Sequence, residues 1–210
     1  IRQGEMAACK EIPHTPYYGT ADATPLFVFL AGAYLERTGD TDFIAGLWPH
    51  IEKALAWIDT HGDIDGDGFV EYLRGADSGL GNQGWKDSVD AISHEDGTLA
   101  EGSIALCEVQ GYVYAARRAA SRIARALGMP DRAETLMRQA EQLKQQFNDT
   151  FWQEDMGIYA LALDGSKKPC RVRASNAGHL LFCGIVPEER ATRVADMLMA
   201  DDMFSGYGIR

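Results

Sequence analysis

A seven-residue stretch carries the side chains that sugar chemistry uses. Residues 82–88 read Asn-Gln-Gly-Trp-Lys-Asp-Ser and follow a glycine-rich segment. The ring of Trp85 could stack on the apolar face of a pyranose, and the carboxyl group of Asp87 could protonate a glycosidic oxygen. The same pattern also fits a packed tryptophan beside a capping aspartate, so it does not decide alone between a sugar site and a structural loop.

Helices are predicted to position this stretch. Apolar residues at helical spacing, bounded by caps such as Asp40 and stops such as Gly39 and Gly128, predict helices over about 24–38, 40–61, 108–127, 131–150, 176–182 and 187–200. Pro49 predicts a restart or kink near Trp48. Short strands are expected before Tyr72, over 104–107 and over 158–163, with irregular chain from 75 to 96.

Polar and aromatic residues gather at the ends of these helices. They are Tyr17, Tyr18, Asp22, Glu71, Tyr72, Trp85, Lys86, Asp87, Glu108, Gln110, Asn176 and His179. Helix N-termini suit oriented hydrogen bonding to a ligand. Each residue also has a local interpretation, with Asp22 as a helix cap and with Gln110 and His179 as satisfied polar groups on helix faces.

The net charge is −11, and this limits the classes of partner. Nucleic acid, anionic membrane and polyphosphate need a basic surface, so we expect none of them as a partner. The four cysteines, Cys9, Cys107, Cys170 and Cys183, show no metal-ligand spacing, which predicts buried free thiols in a reducing compartment. With no signal peptide or transmembrane-length run visible, we predict a cytoplasmic protein; its oligomeric state stays open.

Six blocks in the same order resemble the amylo-α-1,6-glucosidase, or glycogen-debranching-like, glycoside hydrolases. They are residues 17–27 (YYGTADATPLF), 65–72 (DGDGFVEY), 82–88 (NQGWKDS), 108–112 (EVQGY), 176–181 (NAGHLL) and 205–210 (SGYGIR). These blocks cover nearly the whole chain.

The resemblance implies an all-α fold of the (α/α)6 toroid type, with short β-hairpins in the loops. It also implies inverting hydrolysis of α-glucosidic bonds in an oligosaccharide or glucan, without a cofactor. A full toroid has twelve helices, and the sequence predicts six or seven. We therefore expect residues 1–210 to form a single domain that is a fragment, about half, of a larger catalytic domain.

The resemblance also implies roles for individual residues. Asp87 takes the position of the general acid, Trp85 stacks on sugar, and Asp22 binds hydroxyls of the non-reducing glucose. The remaining pocket residues are Tyr18, Lys86, Gln110, Asn176 and His179. A general acid must keep a proton near neutral pH, which requires burial or a neighbouring carboxylate; an inward-pointing Lys86 would oppose this.

An inverting hydrolase needs a second carboxylate, roughly 6.5–9.5 Å from the first, to activate water. In the family that resembles this chain, the base follows the block that ends here at Arg210. Glu71, Glu101 and Glu108 are the candidates within the chain, and the chain alone could be inactive. Two alternatives stay open: a non-catalytic carbohydrate-binding or scaffold domain, and, less favoured, a sugar isomerase or epimerase that relies on central histidines.

The run from Asp63 to Gly68 begins like a calcium-binding loop, with Asp63, Asp65 and Asp67 at alternate positions. Its continuation departs from the EF-hand pattern, because Arg74 stands where a bidentate Glu is required. Glu71 could be the fourth ligand, and some relatives bind calcium near a loop of this type. The alternatives are therefore a structural calcium site and a β-turn with solvated aspartates.

Overall fold

The computed structural model describes residues 19–74 and 80–210, together with Cys9. Within these residues it contains six α-helices, which we number in chain order. They are α1 (Ala23–Thr38), α2 (Thr41–Trp57), α3 (Cys107–Ala126), α4 (Pro130–Phe151), α5 (Asn176–Cys183) and α6 (Glu188–Met199). The predicted all-α fold class is confirmed, and the helix bounds agree with the periodicity to within a few residues.

The helices pair into three hairpins, α1 with α2, α3 with α4 and α5 with α6. Helix α3 lies at the centre and packs against α1, α4 and α5. The edges of α1 and α5 also meet, since the rings of Phe29 and Phe182 are 5.5 Å apart. Three helices therefore form one layer with their hairpin partners packed behind them, which is the arrangement of an (α/α) toroid.

The sequence explains the turn between α1 and α2. Gly39 ends α1 in the left-handed region, at φ 67°, and its N–H donates to the carbonyl of Leu35 at 2.8 Å. The Asp40 carboxylate then accepts from the N–H of Phe43 at 3.0 Å and caps α2. Of the restart or kink predicted near Trp48, the restart is wrong: α2 runs continuously through Pro49, because the buried face of the helix offsets the lost hydrogen bond.

Helix α3 is rich in alanine, and small side chains let α1 approach it closely. Buried residues on its faces include Ala115, Ala116, Ala119, Ala120 and Ala124. Where α1 crosses α3, Gly32 lies directly against Ala119. A methyl group added at Gly32 would lie 2.4 Å from Ala119 Cβ and 3.2 Å from Ala119 Cα.

This contact predicts that Gly32→Ala destabilises the domain, although alanine is the better helix former by about 1 kcal/mol. The added methyl group must push α1 away from α3, and overpacking of this kind costs about 1–3 kcal/mol. Urea denaturation should therefore show a lower free energy of unfolding. Gly46→Ala is the matched control in α2, because nothing lies within 4 Å of the added methyl group there. Equal stability of the two variants would contradict the close crossing.

Two small antiparallel sheets connect the loops to the helices. Strand β1 (Ala105–Leu106) pairs with β4 (Ala162–Leu163), and β2 (Trp152–Gln153) pairs with β3 (Ile158–Tyr159). The strand predicted over 158–163 is thus two short strands in different sheets. Strand β1 runs directly into α3, so the pairing with β4 fixes the position of the N-terminus of α3.

The cysteines follow the prediction in three of four cases. Cys107, Cys170 and Cys183 are buried free thiols, as expected, whereas Cys9 is exposed. Burial raises the pKa of the Cys170 thiol to about 11 and that of Cys183 to about 12, so both stay protonated near neutral pH.

Apolar side chains are exposed on α1 and α5, the two outer helices of the layer formed by α1, α3 and α5. Leu30 is 70% exposed, Phe182 is 71% exposed and Phe27 is 36% exposed.

Among the described residues, no helix combines the length and the apolar character needed to cross a bilayer.

Candidate active site

The loop of residues 82–88 lies across the N-terminal ends of α1 and α3. The N–H of Ala21 donates to the carbonyl of Gln83 at 2.9 Å, which ties the loop to the start of α1. Inside the loop, the Asn82 side chain accepts from the Tyr72 hydroxyl at 2.6 Å and donates to the carbonyl of Ser88 at 2.5 Å. The predicted sugar-binding stretch is therefore an ordered loop held at both ends.

Gly84 lets this loop sit directly on the start of α3. A methyl group at Gly84 would lie 2.4 Å from Leu106 Cδ1 and 3.8 Å from Glu108 Oε1. The Gly84 backbone therefore lies in direct contact with the start of α3, and the next three side chains differ in exposure. Trp85 is 48% exposed, Lys86 is half-buried and Asp87 is exposed.

Trp85, His179 and Tyr112 form an aromatic group in which Trp85 is exposed, His179 is half-buried and Tyr112 is buried. The ring centroids of Trp85 and His179 are 5.3 Å apart, and the Tyr112 hydroxyl lies 2.6 Å from His179 Nδ1. Burial, helped by the nearby Lys86 ammonium, lowers the pKa of His179, so its ring is neutral at neutral pH. When Tyr112 donates to Nδ1, the ring proton lies on Nε2 and can be donated to a sugar hydroxyl.

A buried carboxylate supports this group from below. Glu108 lies in the first turn of α3 and is 1% exposed. Its Oε1 accepts from Asn176 Nδ2 at 2.9 Å, and its Oε2 accepts from the Cys107 thiol at 3.5 Å. Burial raises the pKa of the Glu108 carboxyl, while the Asn176 hydrogen bond opposes that shift. Glu108 thus links α3 to the start of α5.

Lys86 lies between the aromatic group and the buried carboxylate. Its Nζ is 5.3 Å from the Trp85 ring centroid. Burial lowers the pKa of Lys86, and the Glu108 carboxylate acts against that shift. The side chain therefore points inward, as considered from the sequence, and brings positive charge next to the base of the loop that carries Asp87.

Asp22 joins the site from the start of α1. It is half-buried and accepts a hydrogen bond from the Thr20 hydroxyl. The Asp22 side chain does not cap the helix. Instead, Thr20 Oγ1 accepts a hydrogen bond from the N–H of Ala23 at 3.3 Å. Burial and then the Glu108 carboxylate raise the pKa of the Tyr112 hydroxyl, and the negative charge of Asp22 makes a smaller contribution in the same direction. Because the Asp22 side chain makes no capping hydrogen bond, the local interpretation of this residue as a side-chain cap is wrong.

Asp22, Trp85, Lys86 and His179 thus come together on one surface, with Asp87 beside them. Asn176 is fully buried beneath this surface, so it does not line the pocket as predicted. Tyr18 lies outside the described residues. Sequence reasoning missed Tyr112 as a member of this group. The available signal was its spacing, because Tyr112 lies one helical turn beyond Glu108 on α3 and therefore on the same face.

Gln110 does not line this surface, contrary to the prediction. It is fully buried, and Oε1 accepts from the N–H of Val70 at 2.9 Å. Its Nε2 donates to the carbonyls of Val70 at 2.7 Å and Leu106 at 3.0 Å. Both amide hydrogens are therefore used to hold the Val70 backbone against α3, which is the satisfied helix-face role weighed for this residue.

Asp87 is exposed, so the described residues do not supply the burial that a general acid needs. Of the three candidate bases, Glu71 and Glu108 are 3% and 1% exposed, and neither can activate a water molecule in an open cleft. Glu101 is exposed, and its backbone carbonyl accepts from the N–H of Gly165 at 2.8 Å.

The predicted calcium ligands lie together on a separate loop. One oxygen of each of Asp63, Asp65 and Asp67 falls within 4.8 Å of the others. The space beside them is taken by a side chain of this protein, since Lys167 Nζ lies 2.7 Å from both Asp65 Oδ2 and Asp67 Oδ2 and also contacts Glu71. The donor set suits calcium, but an ammonium group already contacts its oxygens, so the residues as arranged do not fit the ion.

Solved structures with the same fold include glycosidases of two families. A GH78 family rhamnosidase of Bacillus sp. GL1 has a TM-score of 0.68 at 19% identity, over 91% of this chain and 19% of that one. The GH63 mannosylglycerate hydrolase from Thermus thermophilus, in complex with Tris, has a TM-score of 0.61 at 14% identity, over 82% of this chain and 52% of that one. This chain therefore spans at most about half of either protein.

Sequence comparisons refine the predicted family. No curated protein sequence matches the chain. Residues 9–210 match the model of a glycoside hydrolase family, and this match does not single out the debranching type that the six blocks resemble. The wider prediction of a toroid-type glycoside hydrolase is confirmed, and the chain belongs to the family of mannosylglycerate hydrolase MGH1-like glycoside hydrolase domains.

Proposed function

We propose that this domain supplies the proton donor of an inverting glycoside hydrolase that cleaves α-glucosidic bonds, as in amylo-α-1,6-glucosidases. The observation that carries the proposal is the half-exposed Trp85 ring, supported by His179, with the exposed Asp87 two residues further along the same loop. An exposed ring that could stack on a sugar and an exposed carboxyl group therefore lie on one loop, which supports the proposal.

The remaining side chains have complementary roles in this proposal. His179 Nε2, Lys86 and the Asp22 carboxylate offer donors and an acceptor for hydroxyl groups around the ring that stacks on Trp85. Asn176 is fully buried, and its Oδ1 has no hydrogen-bond partner among the described residues. We assign Asn176 to orienting Glu108 and the loop above it, in place of direct contact with sugar.

Asp87 is exposed, so in this proposal the site closes around it during the reaction. A bound sugar, or protein that covers this surface, would exclude water from the Asp87 side chain. The second carboxylate, which activates water, then comes from outside residues 19–74 and 80–210 or from Glu101. Glu71 and Glu108 are too buried for that role.

Lys86 supports a second candidate function, which is the hydrolysis of a glycoside whose leaving group carries a carboxylate. The solved GH63 relative is a mannosylglycerate hydrolase, and glycerate is an anion. A half-buried ammonium beside the stacking ring could pair with such a carboxylate. The third candidate is a domain that binds carbohydrate without catalysis, and an experiment must distinguish it from the two hydrolase functions.

A substrate panel tests these alternatives. The intact protein is incubated with maltose, isomaltose, trehalose, branched dextrin and mannosylglycerate, and the first product anomer is read by NMR. We expect release of glucose from an α-glucoside, with the β-anomer formed first. Exclusive cleavage of mannosylglycerate would establish the second candidate, and binding without any cleavage would establish the third. An α-anomer as first product would contradict inversion.

A further inference from the structure

The acidic loop of residues 63–71 is shaped by its own backbone. Asp63 uses both carboxylate oxygens on backbone amides, accepting from Gly66 at 2.8 Å and from Gly68 at 2.9 Å. Asp65 Oδ1 accepts from the N–H of Asp67 at 3.3 Å, and Asp67 Oδ1 accepts from the N–H of Phe69 at 2.9 Å. The loop is therefore preorganised, and Asp65 and Asp67 each keep one oxygen for another partner.

That partner is Lys167, which comes from the turn after β4. Its Nζ lies 2.7 Å from Asp65 Oδ2 and 2.7 Å from Asp67 Oδ2, and it forms a third ion pair with Glu71 Oε1. The oxygens that a metal ion would use are thus the oxygens that the ammonium group contacts. Glu71 is 3% exposed, and its Oε2 has no partner among the described residues, so this carboxylate depends on Lys167 for its charge balance.

The backbone of Lys167 adapts to reach this position. Among the described residues it is the one non-glycine with positive φ, at 62°. The turn is held by the N–H of Lys167 donating to Asp164 O at 2.8 Å and by the N–H of Asp164 donating to Lys168 O at 3.0 Å. A left-handed conformation is unfavourable for a lysine, and the turn hydrogen bonds together with the three ion pairs offset that cost.

We propose that the ammonium group of Lys167 takes the place of a divalent cation in this loop, so that the protein needs no calcium there. A metal ion could enter only by displacing a lysine held by three carboxylates. The lysine also connects the loop to the β4 turn, which contacts the segment before β1 because the N–H of Gly165 donates to Glu101 O at 2.8 Å. Lys167 is thus a built-in cation that joins two loops distant in sequence.

Calcium titration of the wild-type protein and of Lys167→Ala tests the proposal. Both proteins are first treated with EDTA, and their Tm is then measured without calcium and with about 1 mM CaCl₂. This concentration saturates sites of moderate affinity. We expect the Tm of the wild-type protein to be unchanged by calcium. We expect Lys167→Ala to have a lower Tm without calcium and to regain about 2–4 °C with it, because the carboxylates of the loop then lack a counter-ion.

Lys168→Ala is the matched control, since Lys168 is the exposed neighbour and does not contact the loop with its ammonium group. It should behave as the wild type. If Lys167→Ala does not fold, the experiment uses Lys167→Gln in its place, because glutamine keeps a long side chain without the charge. The proposal is overturned if the wild-type protein binds one calcium ion with a rise in Tm, or if the folded Lys167 variants show no response to calcium.

Discussion

Replacing Asp87 by Asn is expected to lower kcat of the intact protein by about 10²–10⁴-fold, the usual contribution of a positioned general acid. Asparagine has nearly the same shape but cannot deliver a proton to the leaving oxygen. KM should change little, because Trp85 and His179 still bind the sugar. The measurement is steady-state kinetics on the best substrate of the panel, with circular dichroism to show that the variant is folded.

Asp90→Asn is the matched control for this experiment. Asp90 is an exposed carboxylate in the same loop, three residues beyond Asp87. It should retain the kcat of the wild-type protein. An unchanged kcat in Asp87→Asn would remove Asp87 from the mechanism, and equal losses in both variants would indicate a general charge effect of the loop.

The second large effect is on stability, at Glu108. Glu108→Ala removes the acceptor of a buried Asn176 N–H and leaves a cavity under the site loop. Together these changes should cost about 2–5 kcal/mol of unfolding free energy, measured by urea denaturation. Glu108→Gln keeps the size and one acceptor oxygen, so we expect it to be much less destabilising. Similar losses in the two variants would contradict the role of the Asn176 hydrogen bond.

Glu108→Gln should also change how stability depends on pH. Burial raises the pKa of Glu108 in the folded protein, so the folded state holds a proton that the unfolded state releases above its pKa of about 4.3. The stability that this proton contributes is fully present below the unfolded pKa of about 4.3. It is lost as pH rises through the pKa of Glu108 in the folded protein. Stability of Glu108→Gln relative to the wild type should therefore rise with pH.

Urea denaturation between pH 4 and pH 8 checks this sign. Glu101→Gln is the control, because Glu101 is exposed and should follow the wild-type protein across the range. A relative stability of Glu108→Gln that falls with pH would mean that the Glu108 carboxylate is charged and favourably paired in the folded protein.

Local sequence signals were sufficient for the helices. The turn at Gly39 and Asp40 could be predicted because a left-handed glycine and a capping carboxylate act within a few residues. The uninterrupted helix at Pro49 could not, since the buried face of α2 offsets the missing hydrogen bond only in the folded core. Tertiary packing overrode the local preference there.

The site was less predictable, because its members meet only when α1, α3 and α5 lie side by side. The sequence indicated Trp85 and His179 separately, but their ring contact joins positions far apart in the chain. Gln110 was assigned to the pocket since no sequence pattern shows that its partner is Val70, forty residues earlier. Lys167 was missed for the same reason, as its carboxylate partner Glu71 lies 96 residues away.

The most direct test of Asp87 as proton donor compares two leaving groups. The rates of Asp87→Asn and the wild-type protein are measured on maltose or isomaltose, whose leaving oxygen needs a proton, and on α-glucosyl fluoride, whose fluoride leaves without one. We predict a loss of at least about 10²-fold on the disaccharide and less than about 10-fold on the fluoride. Equal losses on both substrates would contradict a general acid role for Asp87.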